Sequence, residues 1–365
     1  MAVTLTVNGR KVVAPEGSTI LQAARDAGIR IPTLCYHPDL SNVGGCRLCV
    51  VSVEKSRGLQ TACTTPVFEG MVVDTESREA RDTRRFVLEM LLSDHPNECM
   101  TCEVNGDCEL QDLAYEYEVP WPVHSGARHA YEPDSDTNPF VSIDRNKCVL
   151  CGRCVRACTE IQVRNVWSFS ARGFRSKLVA GADQPMLEAR CESCGQCVAY
   201  CPTGALYDKL SLKHARANKV HKVRTTCPYC GVGCNMDLNV SDGRVVRATS
   251  APDAPVNGMV LCVKGRYGYD FVHHADRLTQ PQVRRYLLEN GQKGKGKKWD
   301  EWVSVGWDAA LDIAARRLRE IRDAHGPDSI GVLTSAKCLN EENYLMNKFA
   351  RQVIGTNNID HCARL

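Results

Sequence analysis

Cysteine is the residue type that could do most of the chemistry in this chain. Nineteen of the 21 cysteines, joined by one histidine, fall into five groups: Cys35/Cys46/Cys49/Cys63, His95/Cys99/Cys102/Cys108, Cys148/Cys151/Cys154/Cys158, Cys191/Cys194/Cys197/Cys201 and Cys227/Cys230/Cys234/Cys262. Four soft donors at such spacings are what an iron–sulfur cluster takes. A row of them on one polypeptide implies one-electron transfer along it. Cys338 and Cys362 are left over; Cys338 reads as packing, and Cys362 matters less for its thiol than for its neighbours.

The five groups differ in what they specify. The runs CVLCGRCVRAC (148–158) and CESCGQCVAYC (191–201) both have the spacing C-x2-C-x2-C-x3-C of bacterial two-cluster ferredoxins. In that fold the fourth cysteine crosses over. One cluster would take Cys148, Cys151, Cys154 and Cys201, the other Cys191, Cys194, Cys197 and Cys158. Pro202 follows the second run as usual, whereas Thr159 follows the first. The first group is not spaced like a plant-type ferredoxin; Gly44 and Gly45 would let its loop wrap a cluster and aim N–H groups at sulfur. A zinc site competes for the first, second and fifth groups, because zinc also takes four cysteines, or three cysteines and a histidine.

Composition narrows the class. A hydrophobic fraction of 43% is globular, and 6% aromatics suits small cofactor-held modules better than one large core. A net charge of +3 makes no case for nucleic acid. The basic, glycine-rich stretch 291–298 reads as a solvated loop. The start, MAVTLTVNGRKVV, has neither the charged-then-apolar pattern of a secretory signal nor a twin arginine. No stretch reaches the roughly 18 apolar residues of a membrane span. So many cysteines in a chain without an export signal argue for metal ligation in a reducing cytoplasm rather than disulfides.

The elements that must hold these groups are partly legible. Residues 3–7 alternate like a strand, Asn8-Gly9 is a hairpin turn, and 11–13 start the return. Ser18 is expected to cap a helix over 19–27 that Gly28 ends. Residues 77–92 have helical apolar spacing leading to His95. Residues 118–139 read as a linker rich in Pro, Ser and Asp, and 211–226 as a basic connector. A helix is expected over 307–324, stopped by His325-Gly326-Pro327, then a strand over 329–333. A second helix capped by Asn340 runs to about Ile354, and another strand begins near 358–360. Helix, strand, helix, strand opens an α/β domain.

Resemblance adds names to these parts. The β-grasp start with the first group, followed by SDHPNECMTCEVNGDCELQ, resembles the front of complex I's large iron–sulfur subunit and of iron-only hydrogenases. There a [2Fe–2S] domain precedes a [4Fe–4S] module with one histidine and three cysteines. CPYCGVGC (227–234) with LCVKGRYG (261–268) resembles the [4Fe–4S] domain of molybdopterin oxidoreductases, and implies that Lys264 lies between cluster and pterin as an electron relay. The whole chain resembles the large, catalytic (alpha) subunit of soluble, multi-cluster molybdopterin-dependent formate dehydrogenases, its tail through DHCARL especially.

The resemblance implies an α+β multidomain iron–sulfur protein. Its parts would be a β-grasp [2Fe–2S] ferredoxin (1–79), a one-histidine, three-cysteine [4Fe–4S] domain (80–120), a two-cluster ferredoxin domain (138–210), a molybdopterin oxidoreductase [4Fe–4S] domain (220–276) and the truncated start of the catalytic domain (277–365). It implies one [2Fe–2S] and four [4Fe–4S] clusters and, in the full-length enzyme, a molybdenum- or tungsten-bis-molybdopterin guanine dinucleotide. Formate would be oxidised to CO2. Electrons would pass Lys264 to the Cys227 cluster, then the ferredoxin pair, then the His95 and Cys35 clusters, and reach a flavin- and NAD-binding diaphorase-type or ferredoxin-linked partner.

In that family the residue after HCARL is the metal-ligating selenocysteine or cysteine. This chain ends at Leu365. Because UGA encodes selenocysteine and is ordinarily a stop, a truncated reading of a longer selenoenzyme is expected, one that holds clusters but lacks formate chemistry and leaves the apolar faces of 307–324 and 343–354 exposed. The main alternative is an electron-transfer iron–sulfur subunit resembling the complex I subunit, without a catalytic centre of its own. An iron-only hydrogenase would need its active-site cysteines after residue 210, where CPYCGVGC stands instead.

Overall fold

The structure, a computed structural model, describes residues 1–119, 124, 126–212, 215–288 and 301–362. The basic stretch 291–298 and part of the expected 118–139 linker lie outside these. The chain divides into two units. One comprises Met1–Val223, Leu238–Ser250 and Met259–Tyr267; the other comprises Arg224–Asp237, Ala251–Gly258 and Gly268–Leu365.

The first unit opens with β1 (Ala2–Val7) and β2 (Arg10–Pro15), antiparallel and joined by Asn8-Gly9. Both turn residues have positive φ, 50° and 75°, as a twist-matched two-residue hairpin requires. Alternation buries Leu5 and Val7 against α1 (Ile20–Asp26), whose Ile20, Leu21, Ala23 and Ala24 face the same core. The cap of α1 is Thr19 and not Ser18. Thr19 Oγ1 accepts from Gln22 N–H (3.3 Å) while Thr19 N–H donates to Gln22 Oε1 (2.9 Å), the reciprocal box that Thr-x-x-Gln makes possible. Then come β3 (Val50–Val53), β4 (Gln60–Thr61) and β5 (Val72–Asp74), giving a sheet ordered β2-β1-β5-β3-β4 with β5 parallel to β1.

Helix α2 (Arg78–Asp94), capped by Ser77, buries Ala80, Arg84 and Leu88, one stripe at four-residue spacing. Arg84 is fully buried. It donates to Val50 O (2.7 Å), Tyr117 Oη (3.0 Å) and Glu76 Oε1 (3.3 Å), tying the helix to β3 and to α3 (Glu109–Glu116). Leu34, Leu48, Leu88, Leu110 and Leu113 make the core beneath.

Next come β6 (Val141–Ile143), α4 (Arg153–Arg156), β7 (Trp167–Ser170), β8 (Lys177–Ala180), α5 (Gln196–Ala199) and β9 (Leu206–Asp208). β6 pairs with β9 and β7 with β8, both antiparallel, around Val141, Ile143, Trp167, Leu178 and Leu206. The approach to β6 is not the featureless linker expected. Asp136 and Asn138 are buried; Asp136 Oδ2 accepts Met186 N–H (2.9 Å) and Asn138 Nδ2 donates to Ser193 Oγ (3.0 Å). The basic connector likewise ends in a strand, β10 (His221–Thr226), in a sheet ordered β10-β11-β12 with β11 (Asn235–Ser241) and β12 (Arg244–Ser250). The short α6 (Val263–Tyr267) follows Cys262.

The second unit contains an antiparallel pair, β13 (Gln282–Arg284) and β14 (Trp302–Ser304), with α7 (Arg285–Leu288) after β13. Helix α8 (Trp307–His325) ends at Gly326 (φ 82°) and has no buried residue. β15 (Val332–Thr334) starts three residues later than Ser329 because Pro327–Ser329 is a 3-10 turn. Helix α9 (Asn340–Lys348) begins at Asn340 rather than being capped by it, and continues as a π turn to Ile354. β16 (Ile359–His361) lies parallel to β15. Trp307, Leu311, Tyr344, Leu345 and Val353 are all exposed.

Candidate metal centres

None of the 21 cysteines forms a disulfide. The first group sits on the loop between α1 and β3 and just after β4. Its four thiols perturb one another: Cys35 and Cys46 share a hydrogen bond, as do Cys49 and Cys63, and both Cys35 and Cys46 act on Cys63. The Cys46 thiol holds Cys35 below the ordinary thiol range, and the Cys46 and Gly45 amides add to this. Cys49 is pushed up by its bond to Cys63 and then by burial. The Gly44 amide serves Cys63, and Gly44 takes φ 60° where a Cβ would lie 3.2 Å from Thr64 Cγ2. Amides aimed at sulfur are the outer-shell donors that anionic, metal-bound thiolates need.

His95 follows α2 in extended conformation (φ −79°, ψ 143°), Cys99 starts a 3-10 turn, and Cys108 precedes α3. One cavity is lined by His95, Cys99, Cys102 and Cys108, together with Lys147 and Gly204. His95 Nε2 is buried without a hydrogen-bond partner. An orphaned imidazole nitrogen costs stability unless something fills it, and an iron ion is a chemically apt occupant. Burial, and then the charge of Lys147, pull the imidazole down to about 4, so it is neutral at pH 7 with a lone pair to give. Burial pushes the Cys108 thiol up to about 11. Gly204 permits close approach, since a Cβ there would stand 3.1 Å from Cys102 Sγ.

The two repeated runs have repeated backbones. Leu150 and Ser193 take φ 53° and 55°, and Gly152 and Gly195 both take 69°. A left-handed non-glycine residue costs about 1–2 kcal/mol, and the run bears it twice at the same position. Cys201 acts on Cys148, Cys151 and Cys154, whereas Cys158 acts on Cys191, Cys194 and Cys197. The fourth cysteine of each run therefore faces the other run. Burial raises Cys148 to about 11 and Cys151 to about 12, and drives Cys154 and Cys197 well above the usual range. Val166 N–H donates to Cys158 Sγ and Ser193 N–H to Cys191 Sγ, both at 3.3 Å. Buried thiols crowded together keep their protons until a cation replaces them, so metal binding releases protons.

Of the fifth group, Cys227, Cys230 and Cys234 belong to the second unit, with Cys227 N–H donating to Cys234 O (2.8 Å). Cys262 and Lys264 belong to the first unit and are exposed. Cys362 is exposed and accepts from Ala336 N–H (3.3 Å); Cys338 is half-buried. Among the described residues no three His, Cys, Asp or Glu side chains converge on a point where one ion would sit. A cluster spreads its thiolates around a cage of iron and sulfide and asks for wider spacing.

Three basic residues without any metal-ligand signature of their own join the sites. Arg156, buried between Cys154 and Cys158, donates to Cys35 O (2.5 Å), Ser41 O (2.5 Å) and Cys151 O (3.2 Å). Arg266, four residues after Cys262, is buried and donates to Cys194 O (3.0 Å) and Ser250 Oγ (2.9 Å). Lys147 lines the His95 cavity. Pro202 makes a further bridge: its carbonyl accepts Glu109 N–H (3.0 Å) and lies 3.7 Å from Cys108 Sγ. The one signal of these roles in the sequence is the position of each residue beside a ligand cysteine.

Comparison with known proteins matches each segment to a family. Residues 1–78 match the 2Fe-2S iron-sulfur cluster binding domain, and 84–120 the NADH-ubiquinone oxidoreductase-G iron-sulfur binding region. Residues 138–207 match the ferredoxin-like domain of NADH-quinone oxidoreductase subunit 3, 220–274 the molybdopterin oxidoreductase Fe4S4 domain and 277–365 molybdopterin oxidoreductase. The chain is 35% identical to the NADPH-Fe(3+) oxidoreductase subunit alpha of Geobacter sulfurreducens, over 100% of this chain and 40% of that protein. It is 32% identical to "Probable oxidoreductase YjgC" of Bacillus subtilis, over 99% and 39%. A Staphylococcus aureus protein with a provisional formate dehydrogenase name is 30% identical, again over 99% and 39%. The chain thus spans about two fifths of the length of these relatives. A chain in the solved structure of the NAD+-reducing [NiFe]-hydrogenase in its H2-reduced state is 33% identical, with a TM-score of 0.53 over 58% of this chain and 90% of that one.

Proposed function

Because the chain belongs to the molybdopterin oxidoreductase family, with iron–sulfur domains like those of NADH-quinone oxidoreductase, we propose that it is the electron-conducting front of a formate dehydrogenase large subunit. The observation that carries the electron-transfer part is the His95 site, where a neutral buried imidazole with an orphaned Nε2 faces a cavity shared with Cys99, Cys102 and Cys108. The formate part is supported by the provisionally named Staphylococcus aureus relative and by the DHCARL tail.

In this reading one [2Fe–2S] cluster is held by Cys35, Cys46, Cys49 and Cys63. Four [4Fe–4S] clusters are held by the His95 group, by Cys148/Cys151/Cys154/Cys201, by Cys191/Cys194/Cys197/Cys158, and by Cys227/Cys230/Cys234/Cys262. When bound, the clusters supply one-electron transfer and the molybdenum or tungsten pterin centre supplies two-electron oxidation of formate. The chain's own residues do the rest. Backbone amides donate to several of the sulfurs, and burial keeps water from Cys35, Cys49, Cys63, Cys154, Cys158, Cys197 and Cys227. Arg156, Pro202 and Arg266 hold neighbouring sites at fixed contacts. Lys264, exposed at the start of α6, is the expected relay residue toward the pterin. Among the described residues of 277–362, Trp307, Leu311, Tyr344, Leu345 and Val353 are exposed apolar side chains.

A second reading is favoured by the hydrogenase match, which covers 90% of that chain. It is an electron-transfer iron–sulfur subunit that docks on a flavin- and nucleotide-binding partner and has no catalytic centre. Metal analysis with a formate assay separates the two. Molybdenum or tungsten together with formate-dependent dye reduction by the protein and its native partners supports the first reading; iron alone, with no formate activity in the complete assembly, overturns it for the second.

A further inference from the structure

Lys147 immediately precedes Cys148. Its backbone N–H donates to Asp144 O (3.2 Å) and its carbonyl accepts from Thr203 Oγ1 (2.8 Å). The side chain lines the cavity of His95, Cys99, Cys102 and Cys108. A Cβ built on Gly204 would lie 3.1 Å from Cys102 Sγ and also 3.5 Å from Lys147 Cδ, so the lysine stem and that sulfur both lie against Gly204. The lysine side chain is 18% exposed, and its Nζ lies 3.2 Å from Asp144 Oδ2. Lys147 pulls the His95 imidazole down, while Asp144 and Asp94 act on it in the opposite direction.

A buried cation lowers the energy of whichever neighbour gains negative charge, and burial leaves that effect little screened. Reduction adds one electron to a cluster. We propose that Lys147 is the residue that raises the reduction potential of the centre held by His95, Cys99, Cys102 and Cys108 above the value its ligands alone would give, and so biases the electron toward that centre and away from the neighbouring Cys148 one. Lys147 acts through charge and touches no substrate, so it is a positioning residue for the electron. This rests on the cluster reading above.

The test is an anaerobic redox titration of the full chain followed by electron paramagnetic resonance, comparing wild type with Lys147→Met, Lys147→Gln and Lys147→Arg. The His95 centre is identified as the signal whose shape changes in His95→Cys. In Lys147→Met and Lys147→Gln its reduced-to-oxidised ratio at a fixed potential should fall at least tenfold, about 59 mV for a one-electron couple. The Cys148 centre should move less, and Lys147→Arg should restore the wild-type value. An unshifted midpoint with the signal intact overturns the proposal and leaves the cluster reading standing. Loss of the centre in both neutral variants also overturns it, because the lysine would then hold the fold. A wild-type chain with no signal sensitive to His95→Cys defeats both.

Discussion

The guanidinium of Arg156 donates to the carbonyl oxygen of Cys35 at 2.5 Å across 121 residues of sequence. The same group also holds Ser41 O and Cys151 O, so one buried cation ties a loop of the β-grasp domain to the first ferredoxin run. Its hydrogen-bond partners are carbonyls. Arg156→Lys keeps the charge but loses the planar fork that reaches several acceptors at once. It should destabilise the protein by about 2–3 kcal/mol, from charge-assisted bonds worth about 1.5–3 kcal/mol each with partial compensation. The urea midpoint of the anaerobic protein measures this; an unchanged midpoint contradicts it.

Gly152 and Gly195 occupy equivalent places in the two runs with the same φ, so substituting each separates conformation from packing. At Gly152 a Cβ meets only the Phe169 ring at 3.5 Å, an ordinary contact, whereas at Gly195 it clashes with Arg266 and Tyr267. Gly152→Ala should cost about 1–2 kcal/mol for the left-handed backbone. Gly195→Ala should cost about 1–3 kcal/mol more from overpacking. Equal losses in denaturant unfolding of the two variants would mean the repeat is packed alike on both sides.

His95→Ala removes the one nitrogen donor of its set. Iron per chain should drop from about 18 to about 14 as a four-iron centre is lost. His95→Cys should retain the iron and lower that centre's potential, because an anionic thiolate replaces a neutral imidazole. Full iron content in His95→Ala would show that the histidine is no ligand.

His129 gives a pH signature. Burial lowers its pKa, but the bond to Asp94 Oδ2 (2.6 Å), the one to Phe174 O (2.7 Å) and the charge of Asp94 outweigh this and leave it raised above 6.5. A raised folded-state pKa means that the protonated form is favoured by folding. The contribution is therefore complete below pH 6.5 and is lost as pH rises through the higher folded value. Between pH 6 and 8.5 the wild-type urea midpoint should fall more than that of His129→Gln; parallel curves would remove His129 from the account.

Much of this was legible in the sequence because ligation fixes residue type. Only cysteine and histidine serve, so C-x2-C-x2-C-x3-C marks its own loops, and Asn8-Gly9 marks a hairpin for a comparable backbone reason. The contacts between sites were not legible. Arg156, Lys147 and Arg266 look like ordinary basic residues until folding sets them against carbonyls and thiols remote in sequence. Asp136 and Asn138 read as part of a polar linker because composition does not reveal that their side chains cap buried amides and hydroxyls. Thr19 rather than Ser18 caps α1 because the partner three residues on is Gln22, a local rule that decides between adjacent candidates.

The measurement that bears most directly on the central claim is the metal and sulfide content of the anaerobically purified chain, with Mössbauer spectroscopy of the iron. One [2Fe–2S] and four [4Fe–4S] clusters predict about 18 iron and as much acid-labile sulfide per chain, roughly one iron in nine in a two-iron spectrum. Zinc in place of iron, or iron without sulfide, would contradict the account.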